Sequence, residues 1–255
     1  MFSAVYLRSK SDELKTSFEN LARESIQLQV LDQLSKSPTG DYLAFKGGTA
    51  LHYALNSRRF SEDLDFSLLE PIADQQKYFE QIVQLCSKLG TVKDQKLKYS
   101  TMLVQFGHRW KDFPYSVSVK IEISLREVLA KSKSELAVLN SVLDFPLISF
   151  QVEKKEILMA DKIAALSARK KARDLYDLLF LMTRNVVPNL EHINHLLDKD
   201  WHQLDQVWTE MLVKIQDFSQ QEINTDLGLF LDSTDRKLLP ELKNILIRKI
   251  NTLLN

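Results

Sequence analysis

Asp63 and Asp65 stand one residue apart in Ser61-Glu62-Asp63-Leu64-Asp65-Phe66, shortly after a Lys46-Gly47-Gly48-Thr49 turn. In an extended strand, residues i and i+2 share a face, so both carboxylates point one way while Leu64 and Phe66 point into a core. Two acids on one face can hold Mg²⁺, which prefers a few carboxylates plus substrate phosphates to a full protein cage. The glycines supply the complement. A helix that begins just after them presents unpaired backbone N–H groups and its positive dipole end, which suits phosphate oxygens. Gly47 and Gly48 allow close backbone approach, and the Thr49 hydroxyl can donate to the same phosphate. Together the two segments imply a metal-dependent site for a nucleoside triphosphate. Taken singly, each has a plainer reading: a tight turn between strand and helix, and a solvated acid pair on an edge strand.

A third acid would complete a two-metal clamp, and Glu122 in Lys120-Ile121-Glu122 is the candidate, with a surface Lys120/Glu122 pair as the alternative. A further constellation lies in Met159-Ala160-Asp161-Lys162 and, beyond it, Arg169 and Arg173-Asp174-Leu175-Tyr176-Asp177-Leu178. On one continuous helix, Lys162, Arg169 and Arg173 fall within about 40° of one another with Asp177 nearby, while Ala164, Ala168, Leu175 and Leu179 take the other side. That face, extended by Lys170 and Lys171, could bind a triphosphate at one end and an RNA backbone at the other. A solvated helix face satisfies the same spacing. A break near Lys170-Lys171 would leave Lys162 and Arg169 aligned and displace Arg173 and Asp177.

The elements that must position these residues follow from periodicity. Ser11 to Ser37 carries helical spacing as one helix or two, stopped by Pro38-Thr39-Gly40-Asp41. Tyr42 to Phe45 is a short apolar strand, followed by the glycine turn and a helix through Ala50, Leu51, Ala54 and Leu55. After the acidic strand come an amphipathic helix over Ala73 to Leu89, a polar stretch, and a strand over Lys98 to Phe106. Val117 to Ser124 is the clearest strand, with Val117, Val119, Ile121 and Ile123 on one face and Lys120 and Glu122 on the other. From Val152 onward the pattern is helical. The expected organisation is α+β: a nucleotide-handling domain over 1–150 built on a small mixed sheet, then a helical domain over 151–255 packed on the active site.

The composition bounds the partners. Lys plus Arg and Asp plus Glu both total 34, so affinity for nucleic acid must come from segregated charge. With 44% hydrophobic residues and only 6 Gly and 6 Pro in 255, the chain can bury a large core and leaves little for flexible linkers. Cys86 is the single cysteine, so no internal disulfide forms, and its place on an apolar helix side marks an inert core thiol. No apolar run approaches the roughly 20 residues that span a bilayer, and Met1 to Lys10 lacks a signal-peptide core, so no membrane partner and a cytoplasmic location are expected.

These segments resemble the nucleotidyltransferase-like family that includes the AbiEii/AbiGii toxins of abortive-infection and type IV toxin-antitoxin pairs. Phe45-Lys46-Gly47-Gly48-Thr49-Ala50-Leu51, Arg59-Phe60-Ser61-Glu62-Asp63-Leu64-Asp65-Phe66, Lys120-Ile121-Glu122, Ala160-Asp161-Lys162 and Arg173-Asp174-Leu175-Tyr176-Asp177-Leu178 occur in the family's order. The resemblance implies a DNA polymerase β-like nucleotidyltransferase core. Asp63 and Asp65 would be magnesium ligands, with Glu122 as the third acid. Lys46, Gly47, Gly48, Thr49, Arg59 and Ser61 would hold the triphosphate, joined by Arg169, Arg173 and Asp174, and Lys162 would contact its phosphates. Asp177 or Asp174 would be the later acidic residue of the active site. Two departures stand out: Arg58 and Arg59 lengthen the glycine-to-acid spacing, and Glu122 replaces the more usual Asp. The implied activity is Mg²⁺-dependent transfer of NMP from an NTP to an RNA, with a tRNA 3′ end as the expected acceptor, blocking translation. A cognate antitoxin is an implied partner. Phosphorylation of Ser61, two residues before Asp63, is expected to repel NTP. The same glycines and acids would serve a small-molecule or protein nucleotidyltransferase, or a non-catalytic nucleotide-binding module.

Overall fold

A computed structural model describes residues 1–111 and 113–255. The chain divides into two units, Met1–Glu153 and Lys154–Asn255.

The first unit opens with α1 (Ala4–Leu14) and α2 (Phe18–Ser35). Two capping serines, Ser3 and Ser17, accept from Tyr6 N–H and Asn20 N–H, and Lys15 takes a left-handed conformation between the helices. The expected helix over 11–37 is therefore two, joined at Lys15-Thr16-Ser17. Then come β1 (Leu43–Lys46), α3 (Gly47–Leu55), β2 (Asp63–Leu68), α4 (Gln75–Leu89), β3 (Thr91–Lys98), β4 (Thr101–His108), β5 (Val117–Val128), β6 (Ser134–Leu139) and β7 (Ile148–Glu153).

All strands join one sheet of order β3-β4-β5-β2-β1-β7-β6. β2 runs antiparallel to β1 and parallel to β5, and β1 runs parallel to β7. The sheet is larger than the small one expected. β3, β6 and β7 are additions, and Lys98 belongs to β3 rather than to the strand that follows. β3 and β6 are edge strands with solvent on most positions, so neither carries the alternation that marks a half-buried strand. β7 does alternate, with Ile148, Phe150 and Val152 buried, but is only six residues long.

One face of the sheet is the core. Phe45 and Phe66 lie 5.3 Å apart between ring centres, and Phe150 is 5.9 Å from Phe66. Ile121 and Ile123 of β5 and Met102, Val104 and Phe106 of β4 continue this layer. α2 and α4 back it, α4 contributing Ile82 and Cys86. Burial pushes the Cys86 thiol up to about 12, in keeping with an inert core thiol. Strict alternation then assigns the opposite face to Lys46, Asp63, Asp65, Lys120 and Glu122.

The second unit is helical: α5 (Lys155–Ala168), α6 (Ala172–Thr183), α7 (Leu190–Leu197), α8 (Leu204–Gln216), α9 (Gln220–Leu227) and α10 (Leu242–Leu254). Among the described residues, no helix is long and apolar enough to cross a membrane.

Candidate active site

Register carries the acids into place. Lys46 pairs with Asp65 across β1/β2, and Asp63 and Asp65 pair with Lys120 and Glu122 across β2/β5. One polar row thus runs Lys46, Asp65, Glu122, with Asp63 and Lys120 one step along the strands. The side chains of Asp63, Lys120 and Glu122 are 37%, 31% and 40% exposed, open enough to meet a ligand.

The glycine turn lies directly against Asp65. Gly47 has φ +77, a region that side chains rarely adopt, and a Cβ built there would sit 2.5 Å from Asp65 Oδ2. A Cβ at Gly48 would meet the Arg59 guanidinium and come within 3.1 Å of Ser61 Oγ. Both glycines are therefore required by what packs on them: a carboxylate on one, a buried arginine on the other. α3 starts at Gly47, and its N-cap residue Lys46 makes no side-chain cap, so the first turn of the helix lies against Asp65. Arg59 is buried and donates to Phe60 O, and Gln27 Nε2 donates to Ser61 O at 3.0 Å, fixing the approach to β2.

Thr49 departs from expectation. Its side chain is buried and its hydroxyl donates to the Asp63 carbonyl oxygen, so it braces β2 against α3 instead of facing a phosphate. Lys46 Nζ lies 3.9 Å from Glu153 Oε1, a contact that joins β1 to the end of β7.

Lys120 holds a position that spacing alone did not reveal. Its ammonium lies 3.0 Å from Asp63 Oδ2 and 3.2 Å from Glu122 Oε2. Partial burial works against its charge, but the Asp63 and Glu122 carboxylates outweigh that and hold its pKa above the ordinary lysine value. The Lys120/Glu122 surface pair and the third-acid reading are thus both present in part: Glu122 does stand beside Asp65, and it shares Lys120 with Asp63.

In the second unit the charges gather differently from the single-helix projection. α5 ends at Ala168 and α6 starts at Ala172, so the face does not continue. Lys162 is buried, with Nζ 3.0 Å from Asp174 Oδ1 and 2.7 Å from Asp177 Oδ2. Arg169 Nε adds a 3.1 Å contact to Asp174 Oδ2. Asp174 and Asp177 are both brought to Lys162, and together they neutralise it. Arg173 turns away to Asp226 at 3.2 Å and over the Phe230 ring, and Lys170 pairs with Asp217 and Glu222. The continuous basic face for an RNA backbone is therefore not formed.

Among the described residues, no three His, Cys, Asp or Glu side chains gather to hold a metal by themselves. Asp63 and Asp65, two residues apart on one face and set beside the start of α3, fit the other kind of site, in which substrate phosphates complete the shell of a hard cation.

The fold that carries this arrangement is that of nucleotidyltransferases. MenT4, a nucleotidyltransferase toxin from Mycobacterium tuberculosis H37Rv, superposes with a TM-score of 0.67 at 17% identity, covering 100% of this chain and 90% of its own. A putative nucleotidyltransferase from H. pylori matches at TM-score 0.55 and 21% identity, over 93% of this chain and 98% of its own. JHP933 from Helicobacter pylori gives 0.55 and 20%, over 93% and 96%. Among curated proteins, none matches the chain. Residues 29–246 match the profile of the family described as nucleotidyl transferase AbiEii toxin, type IV TA system. The chain belongs to that family and is a nucleotidyltransferase.

Proposed function

We propose that this nucleotidyltransferase moves an NMP from an NTP onto an RNA, a tRNA 3′ end being the acceptor that stops translation, and that it does so in the cytoplasm under control of a cognate antitoxin. The observation that carries the reading is the Asp65 carboxylate seated on Gly47, with Asp63 beside it on the same face. An anion cradle and paired metal-binding oxygens then share one substrate.

The acceptor hydroxyl attacks the α-phosphorus in line; the new O–P bond forms as the bond to the β-phosphate oxygen breaks, and pyrophosphate leaves. Asp63 and Asp65, with Glu122 alongside, would hold Mg²⁺, which lowers the pKa of the attacking hydroxyl and neutralises charge on the leaving group. The Gly47 and Gly48 backbone N–H groups and the start of α3 orient the β- and γ-phosphates. Buried Arg59 keeps the strand entry rigid, so the two carboxylates do not have to be ordered at the moment of reaction. Lys120 contends with a cation for Asp63 and Glu122 and keeps those oxygens from repelling each other before substrate arrives. Asp174 and Asp177 set the position of Lys162 within the second unit.

The test is incubation of the protein with each α-labelled NTP and total RNA, with and without Mg²⁺, followed by 3′-end sequencing. Label on RNA that vanishes in Asp63→Ala and Asp65→Ala supports the reading. Label on protein or on small molecules alone rejects an RNA acceptor, and transfer that survives both substitutions rejects the site.

A further inference from the structure

Beside Asp63, on the side away from the glycine turn, lies a cleft of about 420 Å³. That is within the range of small-ligand pockets. The sheet order explains the two sides. β1 and its glycine turn flank β2 on one side, and β5 flanks it on the other, so the acid pair stands between cradle and cleft. Gln105, Ser118 and Lys120 line the cleft from β4 and β5 together with Val117 and Val119, and Arg23, Ser116 and Tyr115 are part of its wall. Lys93, at the β3 irregularity between Val92 and Asp94, reaches this face, where its ammonium donates to Ser118 Oγ at 2.6 Å.

The chemistry of this wall is unlike that of the cradle. Glu19, Glu62 and Asp63 also line it, and Arg23 is 3.5 Å from Glu62, so its cations are offset by acids and a triphosphate would find no net attraction. Hydroxyls, an amide and carboxylates suit sugar hydroxyls and a base edge. Tyr115 supplies a flat surface. Its side chain is 50% exposed, its ring centre is 4.7 Å from that of Phe113, and Phe113 in turn stacks on Phe18 at 4.1 Å. The Tyr115 hydroxyl donates to the Glu19 carboxylate, which fixes the ring's orientation at the cleft. A half-exposed aromatic braced from behind and tethered at its tip is a stacking platform with little ordering left to do.

We infer that this cleft receives the 3′-terminal nucleoside of a single-stranded RNA acceptor, with its base stacked on Tyr115 and its ribose hydroxyls turned to Asp63. The inference rests on the RNA-acceptor reading above and assigns it a place. Donor and acceptor then enter from opposite sides of the acid pair, and a 3′ end buried in a duplex is excluded because its terminal base is not free to leave the stack.

The experiment uses the full chain and a short fluorescent single-stranded RNA, once intact and once with an abasic 3′-terminal residue. Binding is read by anisotropy, and transfer by label incorporation. Tyr115→Ala should weaken binding of the intact RNA and raise its KM by roughly 5- to 150-fold, the span of base–aromatic stacking. The KM for NTP should move less than twofold, and Tyr115→Phe, which keeps the ring and loses only the tether to Glu19, should recover most of the acceptor binding. The abasic RNA should bind wild-type protein as weakly as the intact RNA binds Tyr115→Ala, and lose nothing further on the variant. Tyr115 is half exposed, so thermal unfolding should show the variant folded. An intact-RNA KM in Tyr115→Ala within twofold of wild type, or independent additive losses from ring and base, overturns the cleft assignment while leaving RNA transfer standing. Wild-type protein that neither binds nor labels RNA overturns the acceptor reading, and this assignment with it.

Discussion

Gly47→Ala probes the closest packing in the site, and its size can be worked out before it is made. The added methyl brings two penalties. At φ +77 a residue with a Cβ is strained by roughly 1–2 kcal/mol, which appears as lost stability. The Cβ also lies 2.5 Å from Asp65 Oδ2, whereas ordinary contact begins at 3.4 Å, so the carboxylate must retreat by about 0.9 Å. Misplacing a reacting group by about 1 Å costs on the order of 100-fold in rate, near 2.7 kcal/mol of barrier. The expected variant is folded, melts about 2–8 °C lower, and transfers NMP about 100-fold more slowly at a temperature well below its transition. A thermodynamic cycle isolates the first penalty: in an Asp65→Ala background the methyl meets no oxygen, only the residue-65 Cβ at 3.2 Å, so Gly47→Ala should then cost little beyond the backbone strain. Initial rates of labelled-NMP transfer by wild type and Gly47→Ala, and urea unfolding of all four proteins, give both readings. A folded Gly47→Ala enzyme within threefold of wild type would refute the close approach of turn and acid.

Lys162→Met leaves Asp174 and Asp177 buried without their shared cation, and urea unfolding should show a loss of about 3–5 kcal/mol; a loss below about 1 kcal/mol would mean the triad carries no structural role. Lys120→Met removes the cation that contends for Asp63 and Glu122, so Mn²⁺ titrated calorimetrically should bind roughly fivefold more tightly, and unchanged or weaker binding would place the metal elsewhere. Cys86, its thiol pushed up to about 12 by burial, stays protonated at all pH values below that, so native protein should not react with a thiol reagent between pH 7 and 9 and should react at once in denaturant. Lys120, with its pKa held above the ordinary value, keeps its ion pairs at neutral pH and should lose them only as pH rises past that of free lysine, so stability to urea should be flat from pH 7 to 9 and fall beyond about 10.5.

The parts of this molecule legible in its sequence are those where one face is wet and the other dry. β5 alternates without a fault over Val117 to Ser124, and Asp63-Leu64-Asp65-Phe66 does the same, so the shared face of the two acids followed from period alone. β3 escaped because Lys93, Asp94, Gln95 and Lys96 meet solvent on both sides of an edge, where no periodicity is imposed. β6 escaped for the same reason, with Leu136 and Val138 exposed. Side-chain direction was the harder quantity. Thr49 after two glycines suits a phosphate or a strand carbonyl equally well, and only the packing of α3 on β2 decides for Asp63 O. The helix break falls near Lys170-Lys171, one of the two readings of that stretch, with neither glycine nor proline to announce it, and the projection puts Lys162 on a basic face when it is the centre of a buried ion cluster. Charge partners twelve and fifteen residues away on another helix leave no mark in a projection drawn on one.

The place of β7 in the sheet has a bearing on synthesis. β1, which ends at the glycine turn, is flanked by β2 on one side and β7 on the other, and β7 spans Ile148–Glu153, more than a hundred residues later in the chain. A nascent chain still short of Ile148 leaves Leu43–Lys46 with one edge bare, and Lys46 without its contact to Glu153. The glycine turn that ends β1 is therefore flanked on both sides only once the first unit is nearly complete.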